Sequence, residues 1–189
     1  MKKIFLPLLI VIATIASTMF LVSSMRMHSL AFAWALNFLL MFWVSIFTET
    51  QTKVLTLHYY RSQPWEKQGK FYEHFGINLF RKLLVVIGWE KLNKKANPIE
   101  KSAKALAHNL LRTKKSEFAH LIIFLIVVGM SVMVAINSRP RDALWLIIFN
   151  IIFNLYPVLL QRYNRPRIER ALQLIQRNEQ RIQNRSTVE

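Results

Sequence analysis

The chain has no cysteine, only four glycines, and ten acidic residues against 26 lysines and arginines. Without thiols there is no disulfide framework, no cysteine metal site and no thiol nucleophile. The few glycines form no phosphate-binding loop, since Glu66-Lys-Gln-Gly-Lys70 lacks the first glycine and the terminal Ser or Thr of a P-loop. There is no GxSxG elbow. His58, His74, His108 and His120 show no HxxxH spacing, so no metal is expected. The shortage of acid leaves a net charge of +16, but no recognition motif accompanies it and no nucleic-acid partner is expected.

What is abundant is apolar sequence, 53% of the chain, and it comes in blocks. Ile4–Val22, Leu30–Phe47, Leu121–Ile136 and Ala143–Gln161 are uncharged runs of 19, 18, 16 and 19 residues, the third extendable back to Phe118. About 20 helical residues cross a hydrocarbon core of about 30 Å, so four transmembrane helices are expected. The first run follows Lys2 and Lys3 like a signal peptide, but exceeds an h-region of about 7–15 residues and reads as a retained anchor.

Charge sets the orientation. Fourteen Lys or Arg lie between Thr48 and Phe118 and seven Arg follow Gln161, while the opposite-side loops hold Arg26, Arg139 and Arg141. Basic residues resist translocation. The N-terminus, central segment and C-terminus are therefore expected in the cytoplasm, in a multi-pass protein of the inner (cell) membrane. Most single lysines serve this topology and attraction to anionic membrane lipids, at about 1 kcal/mol each near the surface.

The expected fold is an all-α integral membrane protein with cytoplasmic amphipathic and interfacial helices. Residues 1–47 form an N-terminal hairpin, 48–118 a basic cytoplasmic and interfacial segment, 119–167 a second hairpin, and 168–189 a basic amphipathic tail. Asn37, inside the second span, reads as interhelical glue worth on the order of 1 kcal/mol. Trp65, Phe71 and Tyr72 suit an aromatic belt. Asn78–Trp89 is too short to span and reads as interfacial or re-entrant. Asn97-Pro98-Ile99-Glu100 carries a capping-box start, opening an amphipathic helix (Ile99, Ala103, Leu106, Leu110) expected to lie along the membrane before the third span. Asn137–Asp142 is a tight turn, and the tail is expected to fray from Asn184.

The chemistry collects at two span ends. Asn150, Asn154, Pro157, Gln161 and Arg165 recur at spacings of four, three, four and four, a polar stripe expected to face protein or a water-lined cavity; a kinked packing seam is the plainer reading. Glu117 and His120, three apart on one helical face, enter the third span at the depth at which Gln161–Arg165 leave the fourth. An imidazole removes a hydroxyl proton near neutral pH, and a carboxylate on its other nitrogen fixes its tautomer. Arginines hold phosphate or a developing oxyanion. His120 alone is an ordinary interfacial residue; in this company it reads as a base.

Three stretches, Glu66-Lys-Gln-Gly-Lys-Phe-Tyr72, Thr113-Lys-Lys-Ser-Glu-Phe-Ala-His120 and Asn154–Arg167 with its Gln-Arg-Tyr-Asn-Arg-Pro-Arg end, resemble the glycosyl-4,4'-diaponeurosporenoate acyltransferase family, small bacterial membrane proteins of carotenoid (staphyloxanthin-type) synthesis. The resemblance implies transfer of a fatty acyl group to a sugar hydroxyl of a glycolipid-like acceptor. It carries over Glu66, Gly69 and Lys70, then Glu117 and His120, then Gln161, Arg162, Tyr163, Asn164 and Arg165 as positions.

The combined expectation is a membrane acyltransferase acting at the cytoplasmic face on a glycosylated or otherwise polar-headed lipid. Its co-substrate is acyl-CoA or another activated acyl donor, with no bound cofactor. His120 is the expected base, Glu117 its orienter, Arg162 and Arg165 the clamp on donor phosphate or oxyanion. Gln161 and Asn164 position the acceptor, whose apolar body lies against Asn150, Asn154 and Tyr156. The alternative is a non-catalytic scaffold or small subunit binding anionic lipid or a protein partner, in which Arg162→Lys would be nearly silent. A homo-oligomer is compatible with either.

Overall fold

The computed structural model describes residues 2–50, 53–89, 91–92 and 102–186 and is helical, without strands among them. Among the described residues the principal α-helices are, in order, α1 (Lys2–Ser24), α2 (Leu30–Thr50), α3 (Ile77–Val86), α4 (Ala103–Asn137), α5 (Leu144–Asn150) and α6 (Tyr156–Ser186). Stretches Phe5–Ser24, Leu30–Thr50, Ala103–Asn137 and Pro140–Asn184 are long and apolar enough to cross a membrane. The chain packs into two compact units, Met1–His58 with Lys115–Val158, and Tyr59–Lys114 with Leu159–Glu189.

In the first unit, α1 and α2 pair as a hairpin, and Ser29 caps α2 by accepting the Phe32 N–H at 3.1 Å. Phe32, Ala33, Leu36, Leu40 and Val44 recur at helical spacing on α2, and Ala119, Ile123, Val127 and Val134 do so on α4. With Ala143 and Leu146 they form the core. The outward face of α1 exposes Leu8, Ile12, Ile15, Met19 and Phe20, as a lipid-facing helix must, since chain tails solvate it as well as protein would. Arg139 to Ala143 makes the tight turn: Asp142 accepts the Arg139 N–H at 3.3 Å and donates its own to the Arg139 carbonyl at 2.8 Å.

Between α5 and α6 the backbone opens into one π-helical turn, Ile151–Leu155, with the Tyr156 N–H reaching back to the Ile151 carbonyl. Pro157 follows immediately and has no N–H for the regular ladder, which gives the local reason for the shift. The turn changes the register of the polar stripe, so the regular spacing read from Asn150 to Arg165 does not describe one straight face.

Two expectations are corrected. The segment before the third span is no separate surface helix, because Ala103–Asn137 is one helix of 35 residues. Likewise α6 continues through Pro166 to Ser186, past the point where fraying was expected. The capping signal at Asn97–Glu100 lies outside the described residues; the described start of α4 is capped by Ser102, whose hydroxyl accepts the Ala105 N–H at 3.2 Å.

The second unit holds Pro64–Phe75, two short helical pieces joined by three left-handed residues, and α3. Ile77 and Phe80 of α3 are buried, whereas Leu79, Leu83, Val86 and Ile87 are exposed. That distribution fits the interfacial reading of Asn78–Trp89.

Candidate functional site

Glu117, His120, Asn150 and Asn154 belong to the first unit, and Glu66, Gly69, Lys70 and Gln161–Arg165 to the second. Each group has its own geometry.

In the first unit the amides of Asn37, Asn150 and Asn154 form a ladder. Asn37 donates to the Ala33 carbonyl at 2.8 Å, and Asn150 to the Phe124 carbonyl at 3.1 Å. Because each Nδ2 faces a carbonyl, each Oδ1 is turned to accept. Asn154 Nδ2 donates to both, at 2.6 Å to Asn37 and 2.9 Å to Asn150. The flip of Asn154 is thereby fixed, and its Oδ1 stands 3.4 Å from His120 Nδ1. A proton on Nδ1 would serve that acceptor, and the ring has a second hydrogen-bond partner in the Phe153 backbone.

Asn37 is the interhelical glue its position implied. Asn150 and Asn154, read as lining the acceptor's apolar body, are buried at 3% and 0% exposure and turned toward protein. Glu117 is fully buried one helical turn before His120. The group that meets His120 Nδ1 is the Asn154 amide, where the sequence had pointed to the Glu117 carboxylate.

In the second unit the centre is a buried ion pair. Glu66 Oε1 accepts from the Tyr72 hydroxyl at 2.6 Å and from Arg162 Nη1 at 3.1 Å, while Oε2 accepts the Gln63 N–H at 2.7 Å. The two charged side chains are 1% and 8% exposed. Arg162 Nη2 also donates to the Tyr59 carbonyl at 2.7 Å, and its guanidinium lies 4.2 Å over the Tyr59 ring. Arg165, 1% exposed, donates to Thr113 Oγ1 and to the Tyr60 carbonyl, both at 3.3 Å. The two arginines expected to grip a donor phosphate thus hold the chain together. Lysine could not reproduce a guanidinium shared among these acceptors, so Arg162→Lys does not discriminate between enzyme and scaffold.

Lys67, Gln68 and Gly69 have φ of 48°, 60° and 91°. The first two cost about 1 kcal/mol or more each as left-handed non-glycine residues. Gly69 is required twice over: a Cβ there would lie 2.6 Å from the Tyr163 carbonyl oxygen. This contact seats the Glu66–Lys70 turn on α6. Tyr163 is buried, and its hydroxyl lies 3.2 Å from Arg81 Nη1 and 3.5 Å from Asn78 Oδ1. Gln161 and Asn164 are half-buried, and Lys70 is exposed.

Sequence reasoning missed the roles of Tyr59, Tyr60 and Gln68, of Arg167 at the last position of the quoted motif, and of Arg170 beyond it. Thr113 and Tyr72 stood inside quoted motifs, and their polar ends were the available signal.

Gly69→Ala is expected to destabilise the protein by about 2–3 kcal/mol, from strain and displacement of the Tyr163 backbone; thermal unfolding in detergent reads this, and an unchanged midpoint would contradict the contact. Breaking the enclosed pair by Glu66→Ala is expected to cost about 3–5 kcal/mol. Arg162→Lys should be lower in stability too, as measured by monodispersity and melting in the same detergent.

Searches against curated proteins and against solved structures return no significant match. A family model, described as glycosyl-4,4'-diaponeurosporenoate acyltransferase, matches residues 56–174, a range that takes in the buried ion pair, the left-handed turn, His120 and the whole of the Gln161–Arg167 motif. With most of the chain and all of these features inside the match, the protein belongs to the glycosyl-4,4'-diaponeurosporenoate acyltransferase family.

Proposed function

We propose that the protein transfers a fatty acyl group from acyl-CoA or another activated donor to a hydroxyl of a glycosylated or otherwise polar-headed lipid at the cytoplasmic membrane face, with His120 as general base. The observation that supports this reading is the asparagine ladder, whose Asn154 Oδ1 faces His120 Nδ1 and so favours the tautomer with its lone pair on Nε2. A ring so held is prepared to take a proton without first reorganising.

In the proposed step Nε2 removes the acceptor's hydroxyl proton as that oxygen bonds to the acyl carbonyl carbon. The tetrahedral intermediate then collapses, the bond from the carbonyl carbon to the leaving group breaks, and the imidazolium returns the proton to that group. For a thioester donor the products are an ester and a thiol. Asn154 positions the base, and Asn37 and Asn150 position Asn154. The family membership supports acyl transfer as the reaction class; the carotenoid setting of the acceptor is carried by the family's description alone.

His120→Gln is expected to lower acyl transfer about 100-fold or more, the usual range for losing a general base, in a protein that still folds. Asn154→Leu should lose roughly tenfold by releasing the ring, with binding of substrate little changed. The wild-type rate should rise with pH and level off as the base becomes neutral, a limb missing from the residual rate of His120→Gln. Activity of His120→Gln equal to wild type, in protein of equal abundance, would refute the assignment.

The orientation is tested by adding single cysteines to this cysteine-free chain. A membrane-impermeant maleimide applied to intact cells should label the Ser138→Cys protein and leave the Arg177→Cys protein unlabelled until the membrane is opened. The reverse pattern would place the proposed chemistry on the other face.

A further inference from the structure

With Arg162 and Arg165 committed inside the protein, the charge that meets a polar substrate must come from elsewhere. Beside the left-handed turn lies a pocket of about 100 Å³ lined by Gln68, Lys70, Pro166, Arg167 and Arg170. Three of the five lining residues are cations and none is a carboxylate. The volume accommodates several waters, at about 30 Å³ each in the liquid, and hence a group the size of a phosphate.

Both arginines of the pocket are tethered by contacts of their own. Arg167 Nη1 donates to the Tyr163 carbonyl at 2.6 Å, and the guanidinium stacks 3.7 Å over the Tyr163 ring. Arg170 donates to Gln68 Oε1, which ties the far side of the pocket to the turn. Gln68 and Lys70 flank Gly69, whose backbone presses on Tyr163, so the backbone that carries them is seated against the helix bearing the arginines. Pro166 also lines the pocket and is buried.

The acceptors that orient the two arginines are mostly neutral, so their charge is not cancelled in place. Glu73 approaches Arg167 Nη2 at 3.8 Å, both groups being substantially exposed. Counting it against the three cations leaves two net positive charges. Glu169, near in sequence, is engaged with the Ser62 hydroxyl at 2.6 Å. Cations brought this close repel one another unless an anion joins them, and guanidinium groups bind phosphate oxygens through paired N–H donors.

We infer that Lys70, Arg167 and Arg170 form a phosphate-binding site, the ligand being a phosphate ester carried either by the activated acyl donor or by an anionic lipid headgroup. The assignment to the donor rests on the proposed acyl transfer; the phosphate site itself does not. It also gives the Glu66–Lys70 turn a purpose that repays its strained backbone, since the turn delivers Gln68 and Lys70 to one face of α6.

The test uses the full chain in nanodiscs of neutral phosphatidylcholine, wild type against a Lys70→Gln, Arg170→Gln double variant, with Lys70→Gln alone as the control for folding because its side chain is exposed. Coenzyme A and pantetheine, which lacks the phosphates, are titrated into each, and melting is compared in discs with and without phosphatidylglycerol. Coenzyme A binding weakened about tenfold per cation removed, with pantetheine indifferent to the change, supports a donor phosphate site. No coenzyme A binding, but stabilisation by phosphatidylglycerol that the variant loses, supports the same site filled by a lipid headgroup. Equal behaviour of wild type and variant toward both ligands would overturn the inference. His120→Gln protein should bind as wild type does, so a failure of the base assignment and a failure of this site are read separately.

Discussion

A carboxylate enclosed by protein must be met on every side, and Glu66 is met by a backbone N–H, a phenol and a guanidinium. The second unit follows from that requirement. Tyr72 and Gln63 bring the flanking turns inward, and Arg162 brings α6. The same guanidinium then accounts for the Tyr59 carbonyl, while Arg165 one turn on accounts for that of Tyr60. Left unmatched, either charge would cost several kcal/mol. Arg162 and Arg165 of the dense Gln-Arg-Tyr-Asn-Arg-Pro-Arg stretch are therefore first of all internal braces, whereas Arg167 at its end is exposed.

The first unit solves a related problem with neutral groups. Amides inside an apolar bundle need partners, and three asparagines supply them to one another after two are anchored on backbone carbonyls. A ladder of this kind has a direction, because each amide has one donating and one accepting end. Its last acceptor faces His120. The seam that joins the helices thus also brings an amide acceptor to the imidazole.

The spans were legible because length and hydropathy are local properties, readable at Leu30–Phe47 or Leu121–Ile136 without knowing the fold. The role of Asn37 was legible for a similar reason, as a lone amide in an apolar run has few other options. The direction of Arg162 was not, since it depends on Glu66 some 96 positions away, and density of donors says nothing about where they point. The strained turn was hidden because Lys67 and Gln68 carry no preference for a left-handed backbone; Gly69 alone signalled it. The π turn before Pro157 altered a stripe that residue spacing had treated as regular.

The most direct test of the central claim is the mass spectrum of the lipid extract from cells with and without the intact chain. The account predicts a lipid heavier by one acyl unit only when the chain is present, with its precursor accumulating in the His120→Gln strain. An identical lipid profile in all three strains, at matched protein abundance, would contradict acyl transfer and leave the chain as a membrane scaffold.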